Sequence, residues 1–216
     1  VAGNWFESRL NQTVEALNDQ YDHFRISEAL MTTYKLIWDD FCSWYLEMIK
    51  PEYGTRIHRS VLEQSAEFYR DLLALLHPIM PFVTEELFHL IQDFRNPQNL
   101  RVEKEFLCLS DYPKARSFDK AYLNQASMVL DLVVALRNFK GSNQLGVRHP
   151  LTLLRGEDAS FLDGFEPILQ RLTNTRISSD SNADDPGHWS ALLCGSHKVM
   201  VNPGVCQGYF EQTNVQ

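Results

Sequence analysis

The chain has 216 residues, 44% of them hydrophobic and 22% charged, with a formal net charge of −8. That length is one to two domains at roughly 100–200 residues each, and the balance is that of a globular chain, which excludes wholesale disorder and collagen-like or mucin-like repeats. The longest apolar runs, such as Leu132–Leu136, fall far short of the ~20 residues of a membrane span, and no signal peptide is expected from the first residues. Cys42, Cys108, Cys194 and Cys206 are widely spaced with no CxxC pair, the usage of a reduced, cytoplasmic protein. The chain opens on Val1 rather than Met, which points to a fragment of something longer.

The elements follow from periodicity. Trp5, Phe6, Leu10, Val14, Leu17 and Tyr21 recur at helical spacing, predicting a helix over about 4–22. Ser27 reads as the N-cap of a second helix, with Glu28 in its first turn and Leu30, Tyr34, Ile37, Trp38, Phe41, Tyr45, Met48 and Ile49 along it; Pro51 and Gly54 end it. A third helix carries Ile57 to Leu76 and stops at His77-Pro78. After the Pro78–Pro81 corner, Thr84 reads as the N-cap of a short helix to about Asp93, with Glu85 and Glu86 at its positive end. Residues 94–113 read mostly as loop. A long helix spans about 115–139 and is broken by 141–146. Leu151–Leu154 reads as a strand, Phe161 to Leu172 as an amphipathic helix, and 190–194 with 197–201 as a hairpin about Gly195-Ser196. The expected fold is mainly α: an antiparallel bundle over 1–113, then a linker helix and a small α+β subdomain with a β-hairpin over 114–216.

Charge is distributed unevenly. Residues 1–113 hold 10 basic and 18 acidic side chains, 114–155 hold 7 and 2, and 156–216 hold 3 and 8. A basic segment between two acidic ones is a candidate phosphate-binding surface or, more plainly, a solvated helix.

Catalytic motifs are missing: the sequence contains no P-loop, GxGxxG, HExxH or GxSxG. Cys194, His197 and Cys206, with His188 nearby, offer only one close pair, and alternating residues on a hairpin explain them without a metal. His77 reads as a corner residue bonded to backbone, and Asp39-Asp40 as part of a solvated face. Trp38, Phe41 and Tyr45 share one helical face and read as core; Trp44 lies off it, where an exposed ring beside Lys50 would suit stacking on an unpaired base.

Two long strings are specific. Trp38-Asp39-Asp40-Phe41-Cys42-Ser43-Trp44-Tyr45-Leu46-Glu47 with Lys50-Pro51, and Leu75-Leu76-His77-Pro78-Ile79-Met80-Pro81-Phe82-Val83-Thr84-Glu85-Glu86-Leu87-Phe88, stand in order after Trp5-Phe6-Glu7-Ser8-Arg9-Leu10 and Tyr21–Ala29. Together they resemble the anticodon-binding bundle of valyl-tRNA synthetases, over about residues 1–155. Ser43, where an acidic residue is usual, and Asp111-Tyr112-Pro113, where tryptophan usually precedes the proline, depart from that pattern.

The resemblance implies class I synthetases that join valine to tRNA(Val) with ATP and magnesium, working in the cytoplasm. The catalytic and editing domains are not represented here, so this chain is expected to bind tRNA without catalysing and to need no cofactor of its own. Its partners would be tRNA(Val) and the catalytic domain of the same protein, with no membrane. On charge, Arg137, Lys140 and Arg148 are the expected phosphate contacts, Lys50, Arg56 and Arg59 a second basic group, and Trp44 the stacking residue. The equivalent domain of an isoleucyl or leucyl enzyme, and a helical protein-interaction module, remain alternatives.

Overall fold

The computed structural model describes residues 1–51, 54–95, 106–154, 159–178, 189–194 and 197–202. It is mostly helical with a small four-stranded sheet, and it divides into two compact units, Ala2–Asp119 and Lys120–Gln216, the latter joined by Val1.

In the first unit, α1 (Ala2–Asp22) buries Trp5, Phe6, Leu10, Val14 and Leu17, the stripe its spacing predicts. Its C-terminus closes as a Schellman motif: the Arg25 N–H donates to the Gln20 carbonyl at 2.7 Å and the Phe24 N–H to Tyr21 at 3.0 Å. Phe24 occupies the left-handed position of that motif, φ 55°, where glycine is usual.

The second predicted helix differs in two ways. It starts at Ile26, with Arg25 rather than Ser27 as the flanking residue, two residues early, because the chain leaves the Schellman closure directly into the next helix. It also does not stay α-helical: α2 (Ile26–Lys35) passes into a π-helical run, Leu36–Tyr45, then into α3 (Leu46–Ile49). The wider i→i+5 turns show in the backbone, where the Leu46 N–H donates to the Phe41 carbonyl; the Ser43 hydroxyl also donates to the Trp38 carbonyl, at 2.9 Å. They shift the buried positions to Leu36, Asp40, Phe41, Tyr45 and Met48. So Trp38, expected beside Phe41 and Tyr45, stands outside at 59% exposure. Asp40, expected in water, is buried and accepts from Arg9 Nε at 3.0 Å. Lys50 adopts the extended ψ of 123° that Pro51 imposes, and the helix ends there.

Phe6 sits at the centre of the bundle, its ring 5.2, 5.0 and 5.0 Å from those of Phe41, Tyr45 and Phe68. The Tyr45 hydroxyl meets Ser65 Oγ at 2.9 Å, so the buried phenol keeps a partner. Helix α4 (Arg59–Leu76) begins two residues after Ile57, with His58 as N-cap accepting from the Ser60 N–H. It ends at Leu76 as predicted.

Helix α5 (Pro81–Arg95) begins three residues before Thr84. Pro81 needs no N–H partner at a first helical position, so the corner itself starts the helix. Thr84 is therefore no cap: its fully buried hydroxyl bonds the Met80 carbonyl at 2.8 Å and His77 Nδ1 at 2.8 Å. His77 is thus held by a side chain rather than by backbone. Glu85 accepts from the Leu107 and Cys108 N–H groups, at 2.9 and 3.2 Å. These belong to a 3-10 turn, Leu107–Leu109, inside the expected loop, and Leu107 packs with Leu73 and Phe88.

In the second unit, α6 (Lys120–Ser142) starts five residues later than predicted and runs through Gly141. It buries Leu123, Ala126, Val129, Leu132, Val133, Leu136 and Lys140. Phe165 flanks α7 (Glu166–Thr173); the single predicted helix is split, with a 3-10 turn at Ala159–Leu162 before Gly164, whose φ of 81° breaks the run. Strands β1 (Leu151–Leu154), β2 (Thr175–Ser178), β3 (Ser190–Cys194) and β4 (His197–Asn202) lie in the order β2-β1-β4-β3. Strand β2, which no periodicity announced, pairs parallel to β1, Leu151 opposite Thr175. The hairpin is present, with Cys194 opposite His197; its turn residues Gly195-Ser196 lie outside the described residues, as do His188 and Cys206. No helix among the described residues is long and apolar enough to cross a membrane.

Candidate nucleic-acid interface

The expected cations divide between the two units. In the first, Lys50, Arg56 and Arg59 are exposed around the corner between α3 and α4. Lys50 Nζ donates to Glu47 at 2.9 Å and Arg59 Nε to Glu63 at 2.7 Å, surface pairs of little energetic weight that a phosphate could displace. Trp44 is half-buried rather than exposed.

In the second unit, Arg137 and Arg148 are exposed. Lys140 is not. It is 4% exposed and its ammonium donates to the carbonyls of Val147, at 3.0 Å, and Thr173, at 2.6 Å. Burial lowers its pKa. The sequence places Lys140 just before Gly141, where a helix end in solvent is expected; because α6 continues past it, the side chain points inward and ties the following loop to α7. It is a structural lysine, and the phosphate role expected for it does not fit this geometry.

The first unit also holds a polar cleft of about 370 Å³ between α1, α4 and residues 111–116. Asn11 builds its wall: Nδ2 donates to the Glu7 carbonyl at 2.8 Å, and Oδ1 accepts the Arg116 N–H at 2.9 Å, pinning that segment to α1. Arg70, Lys114 and Arg116 bring positive charge to it, and Glu7, Glu67, Asp71 and Asp111 negative. Burial raises the Asp71 carboxyl, opposed by Arg70 and Arg116. Concave polar sites with perturbed acids are where ligands are usually held. Of these residues, the basic segment beginning at Lys114 was visible in the sequence; the cleft was not, because it depends on a contact across 105 positions. Among the described residues, no group of three or more His, Cys, Asp or Glu side chains could hold a metal ion.

A family model described as the anticodon-binding domain of tRNA ligase matches residues 3–154. The chain belongs to this family. The anticodon-binding domain match takes in the whole helical unit and continues through α6 and β1, ending before α7 and the remaining strands. Similar proteins include a valine–tRNA ligase of Porphyromonas gingivalis, 38% identical over 74% of this chain and 18% of its own. The valine–tRNA ligase of Phocaeicola vulgatus is 35% identical over 94% of this chain and 22% of its own, and that of Christiangramia forsetii 32% identical over 81% and 19%. The chain thus spans about a fifth of the length of the curated relatives it matches.

Proposed function

We propose that this chain is the anticodon-arm-binding part of a valine–tRNA ligase. The observation that carries the reading is the anticodon-binding match over residues 3–154 together with similarity to valine–tRNA ligases. The ligase joins valine to tRNA(Val) in the cytoplasm with ATP and magnesium, through a catalytic domain that is this chain's second partner. The chain itself positions tRNA and needs no cofactor.

The contacts follow from charge and shape. Arg70, Lys114 and Arg116 bring cations to the cleft. Lys50, Arg56 and Arg59 form a second group, and Arg137 and Arg148 serve the other unit; these neutralise phosphates and set register. Trp44 stacks on an unpaired base. Lys140, spent on two carbonyls, takes no part.

The test is binding to a valine-tRNA anticodon stem-loop across a salt series, with a changed-anticodon loop as control. The reading expects log affinity to fall against log salt with a slope of about −0.7 per contact in single-stranded RNA, and a weaker complex with the changed loop. Arg116→Ala should lower both affinity and slope. Salt-independent binding, or none at low salt, would overturn an RNA surface within this chain.

A further inference from the structure

Phosphate contacts give the cations of the cleft between α1, α4 and residues 111–116 a task, and they leave its carboxylates without one. Asp71 meets Arg70 at 3.8 Å, beyond hydrogen-bond reach. Burial raises its pKa, so the carboxyl stands half out of water without the donors that would offset the loss. The carboxylates of Glu7 and Asp111 line the same cleft and make no hydrogen bond or ion pair among the described residues. Neither do Lys114 or the Arg116 guanidinium make a hydrogen bond there. Charges of both signs therefore face one another across the cleft without closing on each other. Its floor is apolar, formed by Leu10, Val14 and Phe68. The Asn11 bond to the Arg116 N–H, at 2.9 Å, holds the 111–116 segment against α1, so the space is formed in advance.

The donor set selects the occupant. A bare phosphate would meet the cleft's carboxylates, and a simple cation its basic side chains. A fitting ligand offers donors to the acids and an anion to the bases, on a flat apolar body for the floor. A nucleotide has this form, and the acid chooses the base. A carboxylate presents two acceptor oxygens side by side. Guanine matches them with adjacent donors, N1–H and the N2 amino group, whereas adenine sets a lone pair beside its amino group and meets the second oxygen with repulsion. The volume, about 370 Å³, lies at the small end of the ~300–1,000 Å³ of ligand sites and gives room for one nucleotide. We propose that the cleft between α1 and α4 binds a guanine nucleotide, Asp71 accepting from N1–H and the N2 amino group while Lys114 and Arg116 hold the phosphate. This goes beyond the tRNA reading: free GMP and a guanosine splayed from an RNA loop carry the same groups, and the test separates them.

The test is calorimetric titration of the full chain with GMP, AMP, guanosine and inorganic phosphate. GMP should bind at least about tenfold tighter than each of the others, a comparison that needs no variant. Asp71→Asn replaces one acceptor oxygen by a donor and should erase the preference for GMP over AMP. Arg116→Gln should erase the preference for GMP over guanosine. Both are ratios, which a general loosening of the fold would not change selectively. Glu15→Gln, at an exposed acid of α1 outside the cleft, should leave both ratios as they are. Competition with GMP by a stem-loop carrying an unpaired guanosine, and not by one lacking it, assigns the source to RNA; no competition assigns it to the free nucleotide. Titration with GMP contains no RNA, so the tRNA reading and this proposal fall separately. No binding of GMP, equal affinity for GMP and AMP, phosphate binding as tightly as GMP, or an Asp71→Asn chain that still prefers GMP would overturn the proposal.

Discussion

The two units solve the problem of a core with different materials. The helical unit closes around aromatic rings, Phe6 against Phe41, Tyr45 and Phe68. The second unit is aliphatic: Leu132, Val133 and Leu136 of α6, Leu151 and Leu153 of β1, and Val199 and Val201 of β4 are all buried. They also treat interior polar groups differently. In the second unit Lys140, Thr173 and Thr175 are bonded to carbonyls or to one another. In the first, the hydroxyls of Tyr21 and Tyr112 and one ring nitrogen of His89 are buried without a hydrogen-bond partner. A ring held by its apolar body cannot always bring its polar tip to an acceptor, although Tyr45, inside the Phe6 junction, reaches Ser65 Oγ; the long lysine and the small threonines of the second unit all reach partners.

Substitutions can press on this contrast. The largest effect is expected for Phe6→Ala, which empties the centre of the aromatic cluster; ~3–5 kcal/mol should be lost, read as a lower urea midpoint of the helical unit. Lys140→Met tests the opposite design. It leaves the Val147 and Thr173 carbonyls without their donor, and ~2–4 kcal/mol should be lost, with faster hydrogen exchange in α7 and β2. Glu85→Ala removes the acceptor of two backbone N–H groups and should cost ~2 kcal/mol; the Leu107 and Cys108 amides should exchange first. Tyr112→Phe should go the other way, stabilising by ~0.5–1 kcal/mol, because it deletes a buried hydroxyl that has no partner.

Alkaline titration separates the units by sign. Burial pulls the Lys140 pKa below its ordinary 10.5. The unfolded chain therefore holds that proton longer, and the second unit gains stability as pH rises from the folded value to 10.5. Burial, with Tyr21 adding to it, pushes Tyr112 from 10 up to about 12. There the folded state keeps its proton longer, so the helical unit loses stability as pH rises from 10 to about 12. Lys140→Met should flatten the first limb and Tyr112→Phe the second; parallel limbs in both units would contradict these assignments.

Much of the fold was readable because core spacing is local. α1, the end of α4, the body of α6, strand β1 and the hairpin all follow from periodicity and from Pro or Gly at the right place. The π-helical run was not, since a pattern that admits both three- and four-residue steps reads equally well with an occasional five; the exposure of Trp38 and the burial of Asp40 hang on that step. Strand β2, Thr-Arg-Ile-Ser, has too little apolar alternation to announce itself. Thr84 looked like a cap because its residue type suits one, whereas Pro81 had already begun the helix. For the candidate site, charge located the basic segment, but composition cannot say which lysine turns inward, and Lys140 did.

The π-helical run has a consequence for the length of the chain. With more residues in each turn than its flanks, Leu36–Tyr45 holds slack that a regular helix lacks. A one-residue deletion there can be absorbed by tightening to α-helical phase, leaving α1 and α4 in place while swinging Trp38 around the axis. The same deletion in α6, whose buried residues follow regular α-helical spacing on one face, would turn every later position away from the core. Changes of length should therefore be tolerated in the middle of the second helical run, where they would retune the outward face of the bundle rather than unmake it.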